Sequence, residues 1–538
     1  MLASRRTMRY LIRFTHAGKG HAMALTRRDF LKGAAAGAAG VAAGPRLQAA
    51  GERSARLARP NILIFMADHQ RGDTVLPDHP VVAPHVKRLA REGVTFTEAY
   101  CPSPHCCPSR ATFHSGLYPT RAGVWNNVCN NQALTRGLPD GVRLWSQDLA
   151  EAGYRLAWSG KWHVSVKESP RDRGWTELFV SGAKADEHQI GWERYREMAR
   201  QPEPTARGEG EILRPGYGTY RLYGTAPATG QAHDERTVAA AVKALPDLAA
   251  KGEPWAMFVG VTSPHDPYVA PKRCLDLYDL KDVPLPPNFD DDLKDKPRIY
   301  QRMRRQAWGQ LSEREIREGI RHFRAYCSYV DELLGRVLSA LDATGQADNT
   351  LVLFCSDHGD YCGEHGLFAK GIPCFRGAYH VPAVIRWPAG IRTPGRQVNE
   401  FVSLADFGPT FLEAAGIKAA REFSGASLVP FLRHETPAGW RDDIHTQCNG
   451  VELYYTQRSV MTREHKYVYN GFDEDELYDL RKDPHEKRNV AVDPAYAKVK
   501  RELVRRMWRF ACREQDAAIN SYITVGLAPY GPAEGFRS

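Results

Sequence analysis

Asn61-Ile62-Leu63-Ile64-Phe65-Met66-Ala67 is an unbroken apolar run after its first residue, and Asp68 follows it at once. Seven residues is strand length, and apolar side chains on both alternating faces mark a strand covered on both sides, as in a parallel sheet sandwiched by helices. The same reading extends outward. His85–Glu92 sets Val86, Leu89 and Ala90 on one side and stops at Gly93, which predicts a helix, and Val94–Tyr100 alternates as a strand. Leu144–Ala152 reads as a helix before the strand Arg155–Ser159. Glu235–Ala250 is a helix feeding Trp255–Val261, Ile316–Thr344 is a helix feeding Thr350–Cys355, and Pro382–Trp387 is a further short strand. Repeated helix-then-strand units predict an α/β fold with a mostly parallel central sheet and helices on both faces.

Beyond about residue 440 the pattern changes. Tyr454–Thr462, Lys466–Tyr469 and Glu476–Leu480 predict a small antiparallel sheet, with a helix over Ala497–Cys512. The expected organisation is a leader over 1–50, an N-terminal α/β catalytic domain over 60–435 and a smaller C-terminal α+β subdomain over 436–538. Segments 200–233 and 280–300, rich in Pro, Gly and charge, are expected to be surface insertions that shape a substrate entrance, with Trp125-Asn126-Asn127 as further lining.

The chain has 538 residues, 73 basic and 63 acidic side chains and a formal charge of +10. Taken whole, that balance points to a nucleic acid or an anionic membrane. Its location removes the implication. Twelve basic and two acidic residues lie in 1–59, which leaves 61 of each in the remaining 479. The body is neutral, and no nucleic-acid partner is expected. With 43% hydrophobic and 25% charged residues it is an ordinary globular chain. Eleven cysteines are too few for a disulfide scaffold; disulfides are permitted and not implied.

Within the leader, Thr26-Arg27-Arg28-Asp29-Phe30-Leu31-Lys32 precedes the mild apolar run Gly33–Gly44. Twelve residues of Ala, Gly and one Val cannot span a bilayer that needs roughly 20 apolar residues, so no stable membrane anchor is expected. The segment resembles a twin-arginine export signal, which implies a periplasmic or exported protein folded before it leaves the cytoplasm. Val41-Ala42-Ala43 and Leu47–Ala50 both offer small residues for cleavage, and Met23 is an alternative start.

The chemistry centres on Cys106-Cys107-Pro108-Ser109-Arg110-Ala111-Thr112, after the strand that ends at Tyr100. Pro108 suits the first turn of a helix, which would set Cys106 at a helix N-terminus, where backbone N–H groups favour an anion, with Arg110 one turn on. A cysteine phosphatase loop needs Arg six residues after the Cys, and position 112 is Thr. Adjacent cysteines also lack the two-residue gap of a zinc knuckle. Asp68 follows the first apolar strand, and Asp357-His358 follows Thr350–Cys355 by one residue. Two carboxylates and an imidazole at the carboxyl ends of strands suit a divalent cation.

Cys106-x-Pro108-Ser109-Arg110 resembles the signature of the type I sulfatases, formylglycine-dependent enzymes of the alkaline phosphatase superfamily. Gly160-Lys161-Trp162-His163, Pro264-His265-Asp266-Pro267, Lys370 and the closing Glu476–Leu480, Asp483-Pro484 and Asn489 resemble further elements of that family, in chain order over about 60–515. The resemblance implies that Cys106 is oxidised to formylglycine by a formylglycine-generating enzyme before export. It also implies that Asp68, Cys106, Asp357 and His358 surround Ca²⁺, with Mn²⁺ or Mg²⁺ as alternatives. Arg110, Lys161 and Lys370 would neutralise sulfate oxygens, His163 would serve as base and His265 as acid. Many relatives have Asp and Asn where this chain has His69 and His358, and His358 resembles the branch of choline sulfatases and phosphonate monoester hydrolases. His69 is left outside the metal set.

Sulfate-ester cleavage needs a nucleophile and stabilisation of charge on the transferring group. The hydrate of formylglycine has two hydroxyls, one to attack sulfur and one whose deprotonation expels sulfate. The expected substrate is a sulfated carbohydrate, an aryl sulfate or a small alkyl sulfate. Phosphonate monoester or phosphodiester hydrolysis on the same scaffold is the alternative. A sulfate-ester-binding protein without turnover is disfavoured because every catalytic position is filled.

Overall fold

Residues 61–67 form the central strand. In the computed structural model, which describes residues 59–517, 520 and 531–537 apart from 131–132, 183–190, 215 and 452, Asn61–Ala67 is strand β1 with every residue buried. The leader expected over 1–50 lies outside the described residues. Seven more strands complete the sheet: β2 (Val94–Tyr100), β3 (Arg155–Lys161), β4 (Thr176–Ser181), β5 (Trp255–Gly260), β6 (Thr350–Ser356), β7 (Ala383–Arg386) and β8 (Arg396–Ser403). Their order is β8-β2-β7-β6-β1-β5-β3-β4. β1 lies between β6 and β5, parallel to both, with Asn61 opposite Thr350 and Ile62 opposite Ala256. Of the eight, β7 alone runs antiparallel to its neighbours.

This topology follows from burial. Ile62, Leu63, Ile64, Phe65 and Met66 are fully buried, each stabilising the fold by roughly 1.5–3 kcal/mol. Helices α1 (Pro84–Glu92), α2 (Cys106–Ser115), α3 (Ala232–Ala249) and α4 (Glu313–Ala343) contribute the layers around the sheet. The 31-residue α4 starts at a capping box: the Ser312 backbone N–H donates to Glu315 Oε2 at 2.8 Å, and the Glu315 N–H returns to Ser312 Oγ at 3.3 Å. Asp331, on the same helix, accepts the N–H groups of His85 and Val86 at 3.1 and 2.7 Å and so ties down the start of α1.

The C-terminal antiparallel sheet has four strands, β9 (Asp443–Cys448), β10 (Gln457–Thr462), β11 (His465–Asn470) and β12 (Glu476–Asp479), paired in sequence order. Helix α5 (Ala497–Arg513) packs Leu503, Val504, Met507 and Trp508 against Val460, Tyr467, Tyr469 and Leu477. Both sheets belong to one compact unit. None of the eleven cysteines is in a disulfide, and ten are buried. Among the described residues no helix is long and apolar enough to cross a membrane.

Three strands depart from the sequence expectation. β4 is a partly exposed edge without a continuous apolar run, β8 carries a register shift between Val398 and Phe401 that breaks its alternation, and β9 reads DIHTQC. The insertions also divide. Glu211–Arg214 and Gly218–Arg221 form a hairpin, and Tyr223–Ala226 pairs with Tyr268–Pro271 beside the pocket described below. Segment 280–300 turns to the C-terminal region instead: Asn288 Nδ2 donates to the His485 carbonyl at 3.1 Å, Lys296 Nζ to the Lys487 carbonyl at 2.7 Å and Tyr300 OH to Glu476 at 2.8 Å.

Candidate active site

The carboxyl ends of β1, β6, β5 and β3, and the loop after β2, deliver the chemistry to one place, as open α/β sheets do. Asp68 leaves β1 and its N–H donates to the Ser263 carbonyl at 3.2 Å, while the Asp357 N–H donates to the Ala67 carbonyl at 3.3 Å. These cross-strand bonds fix the two carboxylates next to each other. Cys106 is the first residue of α2, with Pro108 in the first turn, and the Cys107 N–H donates to Asn127 Oδ1 at 3.1 Å. Cys106 Sγ lies 3.7 Å from Asp68 Oδ1 and 3.3 Å from His358 Nε2. His358 Nδ1 donates to the Gly359 carbonyl at 2.9 Å, which leaves Nε2 as the lone-pair nitrogen facing the cluster. One ligand atom each from Asp68, Cys106, Asp357 and His358 lie within 4.8 Å of one another, and all four residues are buried. Two carboxylates, one imidazole nitrogen and the position of Cys106 form a donor set that fits a hard divalent cation.

Cations surround this cluster. Lys161, the last residue of β3, donates from Nζ to Asp68 Oδ2. Arg110 is fully buried; its Nε donates to Asp357 Oδ2 at 2.7 Å and its Nη1 to the Lys161 carbonyl at 3.1 Å. Arg110 therefore holds Asp357, and its Nη2 lies 3.9 Å from Asp68 Oδ2. Burial alone would raise the Asp68 carboxyl, but Lys161, His265, Arg110 and His358 together hold it well below the usual carboxylate range. Burial would lower the Lys161 ammonium, and Asp68 foremost keeps it raised. Burial lowers His358 and keeps its imidazole neutral, the form that coordinates a metal.

The opposite wall carries His265, Lys370 and His69. Lys370 Nζ contacts His69 Nε2 and lies 3.1 Å from His265 Nε2. His265 Nδ1 donates to the Asp266 carbonyl at 2.6 Å. His69 Nδ1 lies 3.1 Å from Asp360 Oδ2 and 3.3 Å from Asp266 Oδ1. Tyr268 OH donates to Asp360 and Tyr220 OH to Asp266 Oδ2. His69, with φ of 71°, thus orients Lys370 from behind. His163 has φ of 52° and faces the cavity from the end of β3.

A cavity of about 610 Å³ opens over these groups, lined by Asp68, Cys106, Lys161, His163, His265 and Lys370. Of the expected Trp125-Asn126-Asn127, Asn127 lines it and the other two do not. Gln231 and His233, from the expected entrance segment 200–233, also line it, and so do Ser181, Thr262 and Tyr326, which no sequence signal marks. His233 Nε2 lies 2.5 Å from Ser181 Oγ and its Nδ1 3.0 Å from Asp234 Oδ1. Ser181 ends the edge strand β4 and His233 opens α3, so only the tertiary structure joins them.

A mostly parallel α/β sheet whose strand ends gather carboxylates, imidazoles and lysines around one cavity is the arrangement of a hydrolase of anionic esters. The sulfatase family profile matches residues 60–417, and that of the C-terminal region of N-sulphoglucosamine sulphohydrolase matches 363–513. The chain belongs to the sulfatase family of the alkaline phosphatase superfamily and is a sulfuric ester hydrolase. It is 31% identical over 457 residues to the choline-sulfatase of Rhizobium meliloti, covering 81% of this chain and 83% of that one. With the N-acetylglucosamine-6-O-sulfatase of Bacteroides thetaiotaomicron it shares 26% over 517 residues, 83% and 85% of the two chains. The crystal structure of the phosphonate monoester hydrolase of Agrobacterium radiobacter superposes with a TM-score of 0.69 at 26% identity, over 86% and 97% of the two chains.

Proposed function

We propose that this enzyme hydrolyses a sulfate ester of a carbohydrate, with formylglycine made from Cys106 as nucleophile and a divalent metal, Ca²⁺ above Mn²⁺ or Mg²⁺, held by Asp68, Asp357 and His358. The observation that carries this reading is the seat of Cys106 at the start of α2, 3.7 Å from Asp68 and 3.3 Å from His358. The thiol there stands in for the oxygens of a formylglycine hydrate. The metal, when bound, supplies positive charge that lowers the pKa of the attacking hydroxyl and neutralises sulfate oxygens.

The chain's own residues do the rest. Lys161 and Lys370 face the cavity and bind the sulfate group from two sides. Arg110 holds Asp357 in place. His163 takes the proton of the second hydroxyl, which releases sulfate and restores the aldehyde. His265 gives a proton to the leaving oxygen from Nε2, with Lys370 at 3.1 Å as the neighbour that supplies it.

The carbohydrate assignment draws on the sugar-sulfatase relative and on a cavity of about 610 Å³, ample for a sugar. Residues 26–32 support export by the twin-arginine route, with formylglycine installed beforehand in the cytoplasm. The similarity to a phosphonate monoester hydrolase favours a second reading on the same groups. Comparing kcat/KM on an aryl sulfate, an aryl phosphonate and a panel of sulfated sugars decides between them. Sulfate esters should be preferred; preference for the phosphonate would replace the proposal with the second reading.

A further inference from the structure

Beside the oxygen-rich cluster lies a second group of donors with a different chemistry. Cys107 is in the first turn of α2, Cys129 in the loop that follows, and His163 just past β3. One ligand atom from each lies within 4.8 Å of the others, and all three residues are buried. The two thiols are hydrogen-bonded to each other. Tetrahedral ligands at about 2.3 Å from a metal sit roughly 3.8 Å apart, so these three need converge by no more than about 1 Å to share one ion. The loop holding them is tied down, since Asn127 accepts the Cys107 N–H.

We propose that Cys107, Cys129 and His163 form a site for a thiophilic divalent cation of the zinc class, distinct from the oxygen-rich site, and that filling it shuts the enzyme off. Two thiolates and an imidazole select soft or borderline ions, whereas Asp68, Asp357 and His358 suit a hard one. Binding breaks two S–H bonds, releases two protons to solvent and forms two metal–sulfur bonds and one metal–nitrogen bond, leaving the fourth position to water. His163 faces the cavity, so the ion enters from the substrate side. Once ligated, its nitrogen lone pair no longer takes a proton. The inhibitory half of the proposal rests on the assignment of His163 as base; the binding half does not.

The two halves separate in one experiment. Co²⁺ is added to reduced Cys106→Ala protein, in which the Cys106 thiol cannot contribute, with excess Ca²⁺ present to occupy the oxygen site. A thiolate-to-cobalt charge-transfer band saturating at one ion per chain is expected, and Cys129→Ala in the same background should remove it. Separately, protein with Cys106 intact and loaded with Ca²⁺ is titrated with Zn²⁺ during turnover. Cys129→Ala should keep its turnover in Ca²⁺ alone and need at least about tenfold more Zn²⁺ for half inhibition; Cys129→Ser serves if the alanine variant does not fold. Absence of the band, or an equal band in both proteins, overturns the site. A band with Zn²⁺ inhibition unchanged by the Cys129 variant overturns the switch. Loss of the sulfatase reading would leave the cobalt result standing.

Discussion

Cys106 and Cys107 are adjacent thiols with opposite surroundings. Cys106 faces Asp68 and His358, whereas Cys107 points to Cys129, and burial foremost, then Cys129, raises its pKa well above the ordinary thiol value. Cys106→Ala should therefore abolish turnover, while Cys107→Ala should retain most of it, as measured by initial rates on an aryl sulfate. Lys161→Ala removes a cation that lines the cavity and pairs with Asp68. Its kcat/KM should fall about 10²–10³-fold, the usual cost of losing one charge-stabilising group. Asp360 is buried beside Asp266, and the two causes in that order push its carboxyl up to about 7. A carboxyl raised in the folded state binds its proton more tightly there than in the unfolded chain. Stability from this group is thus complete below about pH 4 and is lost as pH rises towards 7, at up to about 1.4 kcal/mol per pH unit. Asp360→Asn, which mimics the protonated form, should flatten that slope in denaturant melts between pH 4 and 7; an unchanged slope would contradict the assignment.

At the scale of elements, the site depends on close approach of strand ends. Gly160 has φ of 108°, and a Cβ there would sit 2.0 Å from the Gly260 carbonyl oxygen and 2.8 Å from Thr237. Gly160→Ala should lower Tm and, by displacing Lys161 next in the chain, lower kcat on all substrates together. The strands that carry the chemistry were legible in sequence because both faces are buried: β1, β5 and β6 read as apolar runs ending one to three residues before Asp68, Ser263 and Asp357. The edge strands β4 and β8 were not, since one side of each meets solvent or irregular pairing and the apolar signal is diluted. For the same reason Ser181, at the end of β4, escaped notice as pocket lining. His233 lies within the expected entrance segment 200–233, but nothing in a helix start tells that it meets a strand 52 residues earlier. Spacing along α2 places Arg110 near Cys106 without saying that its guanidinium pairs with Asp357, which lies 247 residues on.

At the scale of the whole molecule, charge is sorted by location. The excess of basic residues lies in 1–59, and the body carries 61 of each sign, so attraction for a sulfate comes from placed groups alone. Two buried carboxylates at one point, Asp68 and Asp357, would make the folded unit sensitive to the proposed metal. Chelation should lower Tm, and Ca²⁺ at about 100 times its Kd should restore about 2.7 kcal/mol, read by calorimetry with and without chelator. The identity of the nucleophile is read by mass analysis of the Cys106 peptide from active full-length protein. The expected mass is that of formylglycine or its hydrate at residue 106, with Cys107 unmodified. A free Cys106 thiol in protein that turns over sulfate esters would contradict it.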